Sequence, residues 1–267
     1  LMCHYCGHSE PAYDRCPQCG GIMKHIGTGT QKVEEELHAL FPGAKVLRMD
    51  TDTVGASHGH EKLLRQFEEE KIPILLGTQM VAKGLDFENV TLVGVLCADA
   101  SLYIDNYRAP ERTFSLLSQV VGRAGRGSKQ GRAIIQTFTP ENEVIRAAAA
   151  QDYDAFYESE IRMRRLRRYP PFADLFSFTV TGADESRVIR AAKALRDALG
   201  YAVERREELK PLSIEVLGPA GASVVKVNNR YRYRVFLVGK GCPALRRLVA
   251  EYLYAFYQHK ENRGLDI

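Results

Sequence analysis

Four strand-length runs separated by helical periodicity constrain the fold of this 267-residue chain more than any other feature. They are Lys45-Val46-Leu47-Arg48-Met49-Asp50, Ile72 to Leu76, Thr91 to Leu96, and Ala133-Ile134-Ile135-Gln136-Thr137. Val33, Leu37 and Leu40 share one helical face before the first run, and Leu63, Leu64 and Phe67 share another before the second. Strands alternating with helices over Lys24 to Pro140 predict a parallel sheet with helices on its faces, since parallel neighbours need a crossover between them. Ligands of such sheets gather at the carboxyl ends of the strands. Asp50, Asp52, Gly77-Thr78-Gln79 and Asp99 fall there. Asp50 and Asp52 read as turn residues and stay outside the catalytic set.

The run Gln119-Val120-Val121-Gly122-Arg123-Ala124-Gly125-Arg126 points to the chemistry of that edge. A helix that begins near Pro110 and ends at the glycines carries both guanidiniums to one edge of the α/β layer. Planar, forked and permanently charged, they match phosphate oxygens better than lysine does. The plainer reading is a basic helix end with glycine caps. A second cluster, Gly77-Thr78-Gln79-Met80-Val81-Ala82-Lys83-Gly84-Leu85-Asp86-Phe87, lies upstream. Together the two read as half of a nucleotide-driven motor. No GxxxxGK[ST] loop occurs in the 267 residues.

Four of the six cysteines form Cys3-x2-Cys6 and Cys16-x2-Cys19, each pair followed by a glycine. A two-residue gap lets both thiolates face one metal, and the glycine permits the backbone turn toward sulfur. Zinc is therefore expected, the alternative being two disulfides or inert thiols. Which cysteines share an ion is open. Cys97 and Cys242 lie in apolar surroundings and read as buried hydrophobes.

Net charge is only +4, but its distribution is uneven. No acidic residue occurs from Val216 to Ala250, a span holding Lys226, Arg230, Arg232, Arg234, Lys240, Arg246 and Arg247. Arg162, Arg164, Arg165, Arg167 and Arg168 precede Tyr169-Pro170-Pro171. Segregation of this kind suits a polyanionic partner, although the second cluster reads equally as a solvated helix face. Alternation along Arg230 to Val238 puts Arg230, Arg232 and Arg234 on one strand face and Tyr231 and Tyr233 on the other. The tyrosines are expected toward a core and the arginines toward water or phosphates, with Lys226 beside them. The order strand (Phe176–Thr181), helix (Glu185–Leu199), strand (Ser213–Leu217), strand (Arg230–Val238), helix (Ala244–Tyr257) predicts a small antiparallel sheet with helices on one face. No apolar run approaches the roughly 20 residues of a membrane span.

The segment Gly77 to Phe87 resembles motif V of superfamily 2 helicases, and Gln119-x2-Gly122-Arg123-x2-Arg126 resembles their motif VI. With the CxxC pairs, Val90-Thr91-Leu92-Val93 and Tyr169-Pro170-Pro171-Phe172, the chain resembles the C-terminal part of the replication-restart DNA helicase family. The resemblance implies a RecA-like second helicase lobe with a parallel sheet, an N-terminal zinc-knuckle segment and a smaller C-terminal α+β domain. The corresponding boundaries are 1–23 for the zinc segment, 24–140 for the lobe, 141–171 for a helical connector and 172–267 for a DNA- or partner-binding domain. It makes Arg123 and Arg126 arginine fingers toward the γ-phosphate of ATP, with Gln119 ordering that network. Gly84 and Asp86 would line the nucleotide, and Thr78 and Gln79 would contact the tracked strand. Cys3, Cys6, Cys16 and Cys19 become zinc ligands, each pair completed in the family by an upstream pair.

The expected activity of the whole protein is ATP- and Mg2+-dependent 3′-to-5′ DNA unwinding in replication restart and primosome assembly at stalled forks. Expected partners are branched and single-stranded DNA, single-stranded-DNA-binding protein and primosome components, in the bacterial cytoplasm near the nucleoid and without a membrane. The phosphate-cradling lobe and the family's N-terminal DNA-binding domain are not in this sequence, so the chain alone is expected to be inert toward ATP. Two alternatives stand beside this reading. One is a DNA- and partner-binding module; the other is a different superfamily 2 remodelling ATPase, against which the CxxC pairs argue.

Overall fold

A computed structural model describes residues 13–15, 20–21, 29–50, 59–78, 89–122 and 131–267. These residues fall into two units, Gly20–Glu160 and a second that takes in Ile161–Ile267. The first runs α1 (Thr30–Leu40), β1 (Val46–Met49), α2 (Gly59–Glu69), β2 (Ile74–Gly77), β3 (Leu92–Val95), α3 (Asp99–Leu102), α4 (Ala109–Val121), β4 (Arg132–Ile135), α5 (Glu143–Ala150). The boundary falls inside α6 (Tyr153–Leu166).

The four strands described in this unit pair in parallel, as the alternation predicts, in two pairs. Val46 to Met49 lie opposite Ile74 to Gly77, and Leu92 to Val95 lie opposite Arg132 to Ile135. Among the described residues these are two separate two-stranded sheets. Side-chain burial fits that arrangement. A strand covered on both faces buries nearly every residue, whereas β3 and β4 alternate, with Leu92 59% and Ile134 50% exposed. The covered face is where the core forms. Ala98, Phe114, Leu117, Ile145, Ala148 and Phe156 cluster there, with Val95 and Ile135 packed against them. The rings of Phe114 and Phe156 stack with centroids 4.2 Å apart, fixing α6 to α4.

Local chemistry sets the helix limits. Proline in the first turn of α4 loses no helical hydrogen bond and presets φ. The helix stops at Gly122, whose N–H donates back to Ser118 O at 2.9 Å. The Asn142 side chain accepts from Val144 N at 2.9 Å and caps α5. Asp50 is buried, accepts from Thr30 Oγ1 at 2.5 Å and pairs with Arg48 Nε at 3.1 Å. Arg48 also meets Glu34 at 2.8 Å, so Asp50 and Arg48 pin α1 to the end of β1.

The second unit contains β5 (Asp174–Gly182), α7 (Glu185–Arg205), β6 (Glu215–Val227), β7 (Arg230–Gly239) and α8 (Pro243–Gln258). The sheet is antiparallel with β7 between β5 and β6. Phe178, Val180, Val235 and Leu237 share its inner face and meet Val188, Ala192, Leu195 and Leu199 of α7 and Leu245, Leu248 and Phe256 of α8. Asp184 caps α7 by accepting from Arg187 N at 2.9 Å. Strand β6 continues to Val227, well beyond the Leu217 limit read from sequence, because two register shifts at Leu217/Ala220 and Gly221/Lys226 interrupt its alternation. Asn228 and Asn229, with φ of 49° and 59°, form the two-residue hairpin loop into β7.

The two cysteines outside the CxxC pairs are less covered than expected, although Cys242 does pack against the core of the second unit. Both are free and half-buried. Cys242 caps α8, its Sγ accepting from Leu245 N at 3.4 Å, and Cys97 occupies a left-handed turn with φ of 53°. No helix among the described residues is long and apolar enough to cross a membrane.

Candidate functional site

The carboxyl edge of β3 and β4 is closed by one buried carboxylate. Asp99, 4% exposed, accepts from Thr137 Oγ1 at 2.9 Å, Phe138 N at 2.9 Å and Thr139 Oγ1 at 2.7 Å. Burial pushes its pKa up, but the hydrogen bonds from Thr139, Phe138 and Thr137 outweigh burial and hold it below the ordinary carboxylate value. Two residues on, Ser101 Oγ accepts from Thr113 Oγ1 at 3.1 Å, and Thr113 is fully buried in α4. The strand ends are thus tied through Asp99 and α3 to the helix that leads into the Gln119–Arg126 run. Asp99 stands out in the sequence as a strand-end acid. Its donors were not foreseen, although two threonines flanking Phe138 directly after a strand are the signal.

Gln119 is exposed in the last turn of α4, and Thr78 is exposed immediately after β2. Among the described residues no hydrogen bond joins them. Gln79, Gly84, Asp86, Arg123 and Arg126 lie outside the described residues, as do Cys3, Cys6, Cys16 and Cys19. Among the described residues no three metal-ligating side chains cluster.

The cationic strand in the second unit is more tied down than its sequence suggests. Arg232 and Arg234 lie opposite Thr181 and Thr179 of β5, and Tyr233 lies opposite Val180, so the arginines and tyrosines do take opposite faces. Tyr231 and Tyr233 pack against the core, and Tyr233 Oη donates to Glu185 at 2.8 Å. The arginines, however, are half-buried. Arg230 forms an ion pair with Asp266 and donates to Thr181 O at 3.2 Å, and Arg234 lies 5.3 Å from the Phe236 ring centroid. Lys226 must be moved from its expected place. It lies directly opposite Tyr231, with Nζ 4.9 Å from that ring, so it belongs to the tyrosine face and not beside the arginines. The two-residue Asn228-Asn229 loop is the cause, since it folds Val227 back opposite Arg230 and so Lys226 opposite Tyr231.

Much of the Arg162–Arg168 cluster is also structural. Arg168 pairs with Glu215 and donates to Ser213 O at 2.6 Å, Arg164 donates to Pro170 O at 3.4 Å, and Arg165 lies over Phe172. These contacts hold the Tyr169–Phe172 turn and the approach to β6. Arg162 and Arg167 remain exposed.

Two family descriptions match this chain in order. Residues 26–128 match the helicase conserved C-terminal domain, and residues 165–267 match the primosomal protein N C-terminal domain. The chain is 42% identical, over its whole length, to replication restart protein PriA of Bacillus subtilis, and covers 32% of that protein. It is 40% identical over 238 residues to the protein of the same name from Synechocystis, covering 28% of it. Against that of Treponema pallidum it is 37% identical over 257 residues, covering 38%. The chain thus spans about a third of the length of these relatives. A helicase C-terminal lobe followed by a primosomal C-terminal domain, both aligned with one set of relatives, shows that the chain belongs to the PriA family and corresponds to its C-terminal part.

Proposed function

We propose that the whole protein is an ATP-dependent 3′-to-5′ DNA helicase of replication restart and that this chain supplies the second wall of its ATP site. The observation that carries the reading is α4. It runs from Ala109 to Val121, leaves Gln119 exposed in its last turn and passes at Gly122 into the segment bearing Arg123 and Arg126. In this reading Arg123 and Arg126 stabilise charge on the phosphoryl oxygens during transfer to water, an effect worth about 10³–10⁵ in rate. Gln119 orders that network, Gly84 and Asp86 line the nucleotide, and Thr78 and Gln79 contact the tracked strand. Cys3, Cys6, Cys16 and Cys19 hold zinc, which supplies a structural crosslink. The proposed partners are branched and single-stranded DNA, single-stranded-DNA-binding protein and primosome components. Magnesium accompanies ATP, and the site of action is the bacterial cytoplasm.

An arginine wall without a phosphate-cradling lobe has no bound triphosphate to act on, so this chain alone does not turn over ATP. The whole protein hydrolyses ATP when DNA is added and unwinds forked duplexes. DNA-stimulated turnover by the pure chain, or none by the whole protein, contradicts the assignment.

The cationic strand supports a second role as a DNA-binding surface. Arg232, half-buried on the outer face of β7, is its most available guanidinium, since Arg230 is already paired with Asp266.

A further inference from the structure

Gln151 sits at the C-cap of α5 with φ 54° and ψ 30°, the left-handed region where glycine or asparagine is the usual occupant. A glutamine gains nothing from that backbone, and its side chain is engaged elsewhere. Its Nε2 donates to Ser118 O in the last turn of α4 at 3.3 Å, across 33 residues of sequence. Ser118 O also accepts from Gly122 N at 2.9 Å, so both its lone pairs are used at a helix end where carbonyls otherwise lack partners. The same amide lies over Gly122: a Cβ there would stand 2.9 Å from Gln151 Nε2 and 3.2 Å from Ser118 O.

The frame behind Gln151 is rigid. Its own N–H donates to Ala148 O at 3.1 Å and Asp152 N–H to Ala147 O at 2.9 Å, and both alanines are buried. On the other side Phe156 of α6 stacks on Phe114 of α4. The turn between α5 and α6 is therefore held against α4 from both sides, and its one long polar side chain reaches the exit of that helix.

We infer that Gln151 is a positioning residue: it fixes the last turn of α4 and the chain's departure at Gly122, and so the approach to Arg123 and Arg126. The inference rests on the ATP-site reading above, in which those arginines act on the phosphoryl group. It adds a control point on a different segment of the chain, between the two matched domains.

The test uses the whole protein with three variants. Gln151→Gly suits the left-handed backbone but removes the amide, Gln151→Lys restores a donor toward the helix end, and Arg123→Ala probes the reading itself. For Gln151→Gly the expected result is a Tm equal to or above that of the parent, unchanged KM and DNA affinity, and a kcat lowered about tenfold to a hundredfold, as small misplacements of reacting groups do. Gln151→Lys recovers most of the loss. Wild-type kcat in Gln151→Gly, beside an inactive Arg123→Ala, overturns the inference alone. A fall in Tm parallel to the fall in kcat also overturns it, because that marks a stabilising role only. If Arg123→Ala stays active, the ATP-site reading fails. The positioning of α4 is then judged by amide exchange at Gly122, which Gln151→Gly accelerates several-fold if the inference holds and leaves unchanged if it does not.

Discussion

Thr139 Oγ1 donates to Asp99 Oδ1 at 2.7 Å across 40 residues of sequence, joining the chain beyond β4 to the start of α3. The carboxylate is buried and accepts two further hydrogen bonds. Removing a buried acceptor strands its donors at a cost of about 1–3 kcal/mol. Asp99→Ala is therefore expected to lower stability by about that amount in urea or thermal unfolding. The pH dependence follows from the depressed pKa. A carboxylate held below its unfolded value, about 3.9 for Asp, contributes stability that is present above that value and lost as pH falls through the folded pKa. Acid titration of stability should show this loss in the parent protein and a smaller one in Asp99→Ala.

Gly218 has φ 103°, and a Cβ there would stand 2.7 Å from Arg234 O. Neither the backbone conformation nor the carbonyl can yield cheaply. Gly218→Ala is expected to destabilise the C-terminal unit by about 1–3 kcal/mol from the backbone alone. Gly200 is the contrast: it lies inside α7 with nothing within 4 Å of the built Cβ. Gly200→Ala should stabilise by about 0.5–1 kcal/mol. Thermal unfolding of the pair checks both signs.

Asp266 occupies Arg230 and so competes with any phosphate for it. Under the DNA-binding reading, Asp266→Asn frees that guanidinium to neutralise one more phosphate, which steepens the dependence of log affinity on log salt by roughly 0.7–0.9. Arg232→Ala makes it shallower by a similar amount. Fluorescence anisotropy with forked and single-stranded DNA over a salt series reads both. Unchanged slopes in both variants reduce the strand to surface charge.

Metal analysis of protein carrying residues 1–23 is expected to return zinc, lost when Cys3, Cys6, Cys16 and Cys19 are replaced by serine. Zinc retained in full by that variant would remove these cysteines from the ligand set.

The limits of α4 were legible because proline and glycine act through the backbone: Pro110 opens the helix and Gly122 closes it whatever packs around them. Strand positions were legible from apolar runs, since β3 lies within Thr91–Leu96 and β2 overlaps Ile72–Leu76, ending one residue beyond it at Gly77. Their grouping into two parallel pairs was not, because which strands pair depends on contacts distant in sequence. Lys226 shows how a hairpin defeats a reading along the chain: the Asn228-Asn229 loop, itself a turn signal in the sequence, folds it opposite Tyr231 and away from the arginines. Asp99 was visible as a strand-end acid, but its partners come from 38 to 40 residues away. Gln151 carried no signal, as a single exposed glutamine is ordinary until its φ and its reach to Ser118 O are known.

The central claim is that Arg123 and Arg126 belong to an ATP-hydrolysing site completed by the rest of the protein. DNA-stimulated ATP hydrolysis by the whole protein, measured for Arg123→Ala and Arg126→Ala beside DNA affinity, tests it most directly. The account predicts a kcat reduced by at least about 10³ with DNA affinity nearly intact. Preserved hydrolysis with lost DNA binding would contradict it and make the pair a DNA-binding element.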